Sequence, residues 1–197
     1  MNMPAAICKL LDEPCLSVNF SLQGALITGS GFRLVKQRLT SAAPGQKIDC
    51  ELDPTQKSPA SYRRFCDRFD LRRVLSFKAF NPRLLSSIAF RAAIAHECAH
   101  ALLDVTGADK TTVLTHETTG YILESIYGLS NAPIQWRLEA GKHPIRAAAI
   151  RLIEKFKLVG PRCSTLVVLS WKDYSELRAT IHKDRMYSHL GDKERWG

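Results

Sequence analysis

The stretch from Asn81 to Gly107 places the firmest constraint on how this chain can fold. Asparagine caps helices well and proline suits the first helical position, so Asn81-Pro82 predicts the start of a helix. From Arg83 onward apolar residues recur with a helical period, and Gly107 can adopt the left-handed conformation that ends a helix. One continuous helix is therefore expected, with its apolar positions at Leu84, Leu85, Ile88, Ala92, Ala95, Ala99, Leu102 and Leu103.

Two histidines on this helix, His96 and His100, are four residues apart, so their rings lie on one face, one turn apart. Neutral imidazoles in that position can share one zinc ion. Glu97 follows the first histidine and can reach a water on the ion, where a carboxylate takes the proton during attack. The pattern His-Glu-x-x-His therefore predicts a zinc-dependent hydrolase with Glu97 as general base. The alternative is that both histidines pack or face solvent without a metal.

A zinc hydrolase needs a third protein ligand, and a second helix predicted from Lys110 or Thr111 to Tyr127 offers His116, Glu117 and Glu124. The connection between the helices is short, so they are expected to pack antiparallel. At about 1.5 Å per residue, the midpoint of the two histidines and Glu117 both lie roughly 10 Å from the turn. Glu124 would overshoot by about 10 Å, and His116 points about 100° away around the helix. Glu117 is the predicted third ligand, with His116 and Glu124 as alternatives. For Glu124 a supporting carboxylate behind a ligand, or a surface carboxylate, is the favoured interpretation.

The stretches from Ile94 to Asp104 and from Glu117 to Ile122 combine a His-Glu-x-x-His helix ending in Asp with a helix reading Glu-x-x-x-Tyr. This combination resembles the glutamate-liganded zincins, or gluzincins, and more narrowly a group of short bacterial zincin-like proteins. The resemblance covers about 35 residues, with a shorter gap between His100 and Glu117 than in better-known members. It implies a zinc metallopeptidase in which a twisted sheet lies beside the active-site helix and its edge holds an extended peptide.

Several side chains near the motif have two interpretations each. Tyr121 lies one turn beyond Glu117, where it either donates to the oxyanion of the transition state or packs in the core. Asp104 lies one turn beyond His100 and either orients a ligand histidine or simply ends the helix. Cys98, on the other side of the helix, is expected in the core. Three further histidines are expected at the surface or at helix caps unless one supplies a cationic donor to the site: His143, His182 and His189.

The rest of the chain predicts an α+β domain: a small N-terminal sheet, the active-site helix pair at 81–128, and C-terminal helices at 140–197. Within the strand-rich part, 17–80, apolar runs at 18–27 and 32–39 flank a turn at 28–31, and 47–53 alternates like a strand. Residues 54–59 are a predicted loop, and 60–80 fit either helix or strand. The C-terminal part predicts a helix from His143-Pro144 to Lys157, a strand at 165–169, a helix from Ser170 to about Tyr187 opened by a capping box with Asp173, and frayed residues at 191–197.

Composition limits the class of partner. The formal net charge is +9. The densest basic cluster is interleaved with Phe65, Phe69 and Leu71, which favours one solvated face of a packed segment. Nucleic-acid binding is the alternative, but no recognised motif accompanies it. The members of this basic cluster are Arg63, Arg64, Arg68, Arg72, Arg73 and Lys78.

Compartment is inferred from what the sequence lacks. No apolar run approaches the length that spans a bilayer, and residues 1–16 lack the order of a secretory signal. The expected location is the cytoplasm, or outside the cell after export that does not depend on a secretory signal. Without a Cys-x-x-Cys pair, free thiols are expected at Cys8, Cys15, Cys50, Cys66, Cys98 and Cys163.

The predicted function is a metallopeptidase with a protein or peptide substrate. Three alternatives use the same residues. The first is a non-catalytic zinc module with four protein ligands, and the second is an effector or toxin delivered to another cell. The third is a regulator whose protease activity cuts a repressor.

Overall fold

The computed structural model describes residues 2–43, 45–66, 71–108, 111–159, 165–184 and 187–188. These form an α+β structure, as predicted. The helices are α1 (Met3–Leu11), α2 (Gly29–Thr40), α3 (Pro82–Leu85), α4 (Ile88–Val105), α5 (Val113–Asn131), α6 (Pro133–Ala140), α7 (Pro144–Phe156) and α8 (Trp171–Lys183). The strands are β1 (Asn19–Leu22), β2 (Ala25–Thr28), β3 (Ile48–Leu52), β4 (Ala60–Cys66), β5 (Leu71–Phe77) and β6 (Val167–Leu169).

The strands form two small sheets where the sequence predicts one N-terminal sheet. The first has the order β2-β1-β6, and the second has the order β3-β5-β4. The predicted strand at 165–169 exists as β6, but it pairs in parallel with β1, where Ser21 lies opposite Val168. The C-terminal part thus completes a sheet begun near the N-terminus. Local patterning does not reveal such a pairing, because the partners are far apart in the sequence.

The hairpin turn predicted at 28–31 is wrong, because those residues begin α2. The Thr28 side chain accepts a hydrogen bond from the Gly31 N–H at 3.0 Å and so caps the helix. Phe32, Val35 and Leu39 are buried at helical spacing, so the apolar run at 32–39 is one helix face. The actual turn joins β1 to β2 at residues 23–24, whose φ angles of 49° and 82° match a tight two-residue hairpin.

The predicted strand at 47–53 is confirmed as β3, and 53–59 is a loop. The segment at 60–80 contributes β4 and β5, which pair antiparallel. Within the described sheet β4 is one of the two edge strands, and it packs beside α4.

Asp104 connects the second sheet to α4, which contradicts the interpretation in which it orients a ligand histidine. The Tyr62 hydroxyl donates to Asp104 Oδ2 at 2.5 Å, and Arg73 Nε donates to the same oxygen at 2.6 Å. Arg64 Nη1 lies 3.2 Å from Oδ1. Two arginines of the basic cluster therefore turn inward to a carboxylate whose side chain is 1% exposed. The position one turn beyond His100 faces the sheet rather than the histidines.

Replacing Asp104 with asparagine is expected to lower the free energy of unfolding by about 3 kcal/mol, because it leaves two largely buried arginines without their counter-charge. Urea unfolding followed by circular dichroism measures the change. Asp12→Asn is the control, since Asp12 pairs with Lys36 while 63% exposed, and exposed pairs contribute less than about 1 kcal/mol. Equal losses of unfolding free energy in the two variants would contradict a stabilising role for the ion pairs of Asp104.

The predicted helix from Asn81 to Gly107 is two helices. Asn81 caps as expected, accepting from the Leu84 N–H at 2.9 Å, but α3 ends after one turn. Ser87 then caps α4, whose Phe90 N–H donates to the Ser87 hydroxyl at 3.4 Å. The end near Gly107 is confirmed, since its φ is 76°. The serine pair at 86–87 can cap a new helix, and this arrangement is favoured over one helix that continues through these residues.

The second helix of the pair, α5, runs past its predicted stop at Gly128. A side chain at Gly128 would approach Trp136 of α6 to 2.1 Å, so this glycine serves close packing rather than termination. The short helix α6 is absent from the sequence prediction. The predicted helix at 143–157 is confirmed as α7, and the capping box of Ser170 with Asp173 opens α8. That last helix ends at Lys183 rather than near Tyr187.

The pair α4 and α5 forms the centre of the structure. Helix α4 contacts α1, α2 and β4, whereas α5 contacts α6, α7 and α8. Cys98 is fully buried in this core, as predicted. The five cysteines within the described ranges are free thiols, and Cys163 lies outside those ranges. None of the helices described combines the length and apolarity needed to cross a membrane.

Candidate metal centre

His96, His100 and Glu117 converge between α4 and α5, as the sequence predicts. His96 Nε2 lies 3.4 Å from Glu117 Oε2, and His100 Nε2 lies 3.6 Å from Glu117 Oε1. The ligand atoms of all three lie within 4.8 Å of one another, and all three residues are buried. Two imidazoles and one carboxylate from an antiparallel pair therefore form a group that could hold a metal ion.

The separations are compatible with one shared metal ion. Around a tetrahedral zinc ion, bonds of about 2.0–2.1 Å would place neighbouring ligand atoms about 3.4 Å apart. The histidine-to-Glu117 distances of 3.4 and 3.6 Å are close to that value but end on different oxygens of Glu117, and one ligand atom from each residue lies within 4.8 Å of the others. Three protein ligands also leave one position of a four-coordinate ion for water or substrate.

Gly120 makes room for His96. Gly120 lies on α5 one turn after Glu117, and a Cβ there would come within 2.6 Å of His96 Nε2 and 2.7 Å of Cδ2. Real Cβ atoms do not approach so closely, so the ring would have to move. Helix α5 thus supplies Glu117 as a candidate ligand and, at its next turn, the space for the candidate ligand His96.

Glu97 is held by the edge strand. Its Oε2 accepts the backbone N–H of Tyr62 at 2.7 Å, which links β4 to the carboxylate beside the ligand histidine. Burial raises the pKa of Glu97 to about 8, and the Glu117 carboxylate contributes in the same direction. This bond leaves Oε1 of Glu97 for other chemistry.

Glu124 orients His96 instead of joining the ligand group. His96 Nδ1 lies 3.2 Å from Glu124 Oε2, and because a carboxylate only accepts, Nδ1 carries the hydrogen. Nε2 is then directed toward Glu117 and the candidate ion. The other oxygen of Glu124, Oε1, accepts from Arg146 Nε and Nη2 at 2.9 and 2.6 Å. Glu124 thus has the supporting position behind a histidine, which the sequence favoured for it alongside a surface location.

The two ligand histidines have opposite electrostatic surroundings. Burial lowers the pKa of His96, but the Glu117 and Glu124 carboxylates outweigh it and hold that pKa well above its ordinary value. Burial, together with His96 and His116, lowers the pKa of His100 well below its ordinary value. His116 is fully buried and stacks on His100 with ring centres 5.9 Å apart, but it lies outside the group that could share an ion.

Tyr121 and Tyr187 lie on one side of the site. The Tyr121 ring packs edge-on against His96 with centroids 4.8 Å apart. Its hydroxyl is 3.4 Å from the Tyr187 hydroxyl, and the charge of the Glu117 carboxylate also acts on Tyr187. Burial and this carboxylate raise the pKa of Tyr187 above its ordinary value. The residue just beyond α8 therefore reaches the metal centre, a contact that local sequence patterning does not predict.

Among the described residues, neither the histidines of the C-terminal part nor the basic cluster belongs to the group that could share an ion. His143 and His182 are exposed, and His189 is outside the described residues. Arg63 pairs with Glu51 and Asp53, while Arg72 pairs with Asp49 and Glu51. Arg68 is outside the described residues, and Lys78 is exposed. The arginines described in this cluster thus have carboxylate partners within the protein.

Sequence reasoning missed Gly120, Tyr62 and Arg146. An isolated glycine inside a helical pattern often has a packing reason, which is the one signal that pointed to Gly120. The Tyr62 contact uses a backbone N–H, and Arg146 lies 22 residues from its partner, so neither left a local signal. Comparison of the chain with protein-family models, with curated proteins and with solved structures gives no match.

Proposed function

We propose that this protein is a zinc-dependent hydrolase, specifically a metallopeptidase, with His96, His100 and Glu117 as zinc ligands. The observation that carries the proposal is the convergence of their ligand atoms within 4.8 Å of one another, with Glu97 next to His96 in the sequence and fixed by the Tyr62 N–H. Two nitrogens and one carboxylate oxygen are a ligand set used by zinc hydrolases, which keep one position for water. The same ligand types favour zinc over magnesium or calcium, which prefer all-oxygen sites.

These three residues would hold the zinc ion, which would lower the pKa of a bound water toward neutrality. The chain's own part begins with Glu97, whose Oε2 is fixed by the Tyr62 N–H, so that Oε1 accepts a proton from the attacking water. The same oxygen can then return the proton to the leaving amine. Tyr121 is the proposed donor to the carbonyl oxygen, with Tyr187 as a neighbouring hydroxyl.

An extended peptide is the proposed substrate, and a zincin-like arrangement of edge strand and helix would bind it. The Tyr62 N–H points away from β5 toward Glu97, so the outer edge of β4 faces the site. Main-chain groups two residues apart on a strand point the same way, so the backbone N–H and C=O of Arg64 also face this outer edge. A substrate strand added there would lie next to the ligand group.

Metal analysis tests the ligand assignment. Purified protein is expected to hold about one zinc per chain by mass spectrometry, and His96→Ala and Glu117→Ala are expected to lose it. His182→Ala is the matched control, because it removes an exposed histidine at the end of α8 and should retain the metal. Retention of zinc by Glu117→Ala would contradict the third ligand.

Metal removal tests the function. Chelation is expected to abolish cleavage of a mixture of unstructured peptides, read as new termini by mass spectrometry, and one equivalent of zinc should restore it. Removal should also lower stability, since zinc at 100 times its dissociation constant adds about 2.7 kcal/mol. A zinc-loaded protein that cuts no peptide under any tested condition would favour the non-catalytic module. Cleavage directed only at proteins of another cell, or only at a repressor, would assign it to the effector or regulator class.

A further inference from the structure

The C-terminal helices reach the metal centre through Arg146 of α7. We propose that Arg146 is a positioning residue: it holds Glu124 against His96 and so fixes the direction in which His96 presents Nε2 to the ion. The inference rests on the metal site proposed above. It gives α6 and α7 a part in metal binding beyond packing.

Arg146 contacts Glu124 directly. The Glu124 side chain is 5% exposed and divides its two oxygens between partners. Oε2 faces His96 Nδ1, whereas Oε1 takes both donors from Arg146. Without Arg146, Oε1 loses two charge-assisted hydrogen bonds, and the carboxylate can rotate away from Nδ1. The partner that orients a ligand histidine would then no longer be held in place.

Arg146 is itself held in position by Trp136. Its guanidinium carbon lies 4.9 Å from the ring centre of Trp136, which is 2% exposed. That ring rests against Gly128, where a Cβ would approach Trp136 Cδ2 to 2.1 Å. A buried aromatic face attracts a guanidinium and restricts where it can lie. Close packing of α6 on α5 therefore sets the position from which Arg146 reaches Glu124.

The ion pair of Arg146 with Glu124 differs from an ordinary surface ion pair. Arg137 and Glu154 join the same helices α6 and α7 at 3.0 Å, with side chains 53% and 49% exposed. Such a pair contributes little and is screened by salt. The pair of Arg146 with Glu124 is much more buried, and its carboxylate has its second oxygen on a proposed ligand. Arg137 is therefore a matched control for Arg146.

The test is the zinc dissociation constant of the full chain, measured by competition with a chromophoric chelator. Arg146→Met is expected to weaken zinc binding by about 10- to 100-fold, whereas Arg137→Met should leave it unchanged. The double variant Glu124→Gln/Arg146→Met should bind zinc no more weakly than Glu124→Gln alone, because Arg146 acts through Glu124. A merely structural arginine would add its own loss in the double variant.

Arg146→Lys provides a second variant in case Arg146→Met does not fold. Lysine keeps the charge but lacks the two-donor fork, so zinc binding should be weaker than wild type and stronger than in Glu124→Gln. Wild-type affinity in either folded Arg146 variant, or additive losses in the double variant, would overturn the inference. Absence of zinc binding by the wild-type protein would overturn the proposed metal site itself, and that measurement comes first.

Discussion

Replacing Gly120 with alanine is expected to weaken zinc binding by at least about 100-fold, the upper end of the loss when support of a ligand is removed. In most helix interiors the same change stabilises by about 1 kcal/mol, because alanine is the better helix former. Here the added Cβ would lie 2.6 Å from His96 Nε2, the atom proposed to bind the ion. The ring must leave its position, and the three ligand atoms can no longer converge. Zinc titration against a chromophoric chelator measures the effect.

Two other glycines make this result specific. Gly141→Ala adds a Cβ at an ordinary 3.5 Å contact with the Leu138 carbonyl oxygen and should change neither zinc affinity nor folding. Gly128→Ala instead presses on Trp136 at 2.1 Å and should lower stability by about 1–3 kcal/mol through overpacking. Wild-type zinc affinity in a folded Gly120→Ala protein would mean that His96 does not bind the ion in the observed position.

Replacing Glu97 with glutamine is expected to slow peptide hydrolysis by about 10²- to 10⁴-fold while the zinc content stays near one per chain. Glutamine has nearly the same shape, and its carbonyl oxygen can still accept the Tyr62 N–H, so the fold and the neighbouring ligands are preserved. The amide cannot take a proton from the attacking water. Initial rates on the peptide mixture, compared with metal content of the same samples, measure the separation of catalysis from binding.

Glu176→Gln is the control for that experiment. Glu176 is 64% exposed on α8 and pairs with Arg151, so neutralising it should alter neither rate nor zinc content. Equal rates for Glu97→Gln and wild type would exclude Glu97 as the base. Loss of zinc from Glu97→Gln would instead place Glu97 among the ligands.

The helix pair and the convergence of His96, His100 and Glu117 were largely predictable, because short-range rules govern them. Histidines four apart on a helix share a face, and a short connection between two helices brings Glu117 level with them. Helix interruptions were harder, since Ser87 and Gly128 each suit more than one local structure. At Gly128 the outcome depended on Trp136, which no local pattern connects to it.

Sequence patterning failed where a partner comes from a distant element. Asp104 lies one turn beyond His100, so helical spacing alone made it a candidate partner of a histidine. Because β4 and β5 pack against α4, Asp104 forms ion pairs with Arg64 and Arg73 instead. Glu124 lies two turns beyond Glu117, too far along α5 for the predicted ligand position, and it contacts His96 through Nδ1, in agreement with the supporting role that the sequence left open for it.

The sequence by itself determined the α+β class, the long buried helices and which side chains could share an ion, because these follow from periodicity and from spacing on one helix or a short turn. Only the tertiary structure decided which groups hold those side chains in place: the Tyr62 N–H on Glu97, the space at Gly120, and Glu124 with Arg146 behind His96. These contacts join segments that are 22 to 35 residues apart, or depend on an absent Cβ. Their geometry is set by how the helices and the sheet edge pack, which no local pattern encodes.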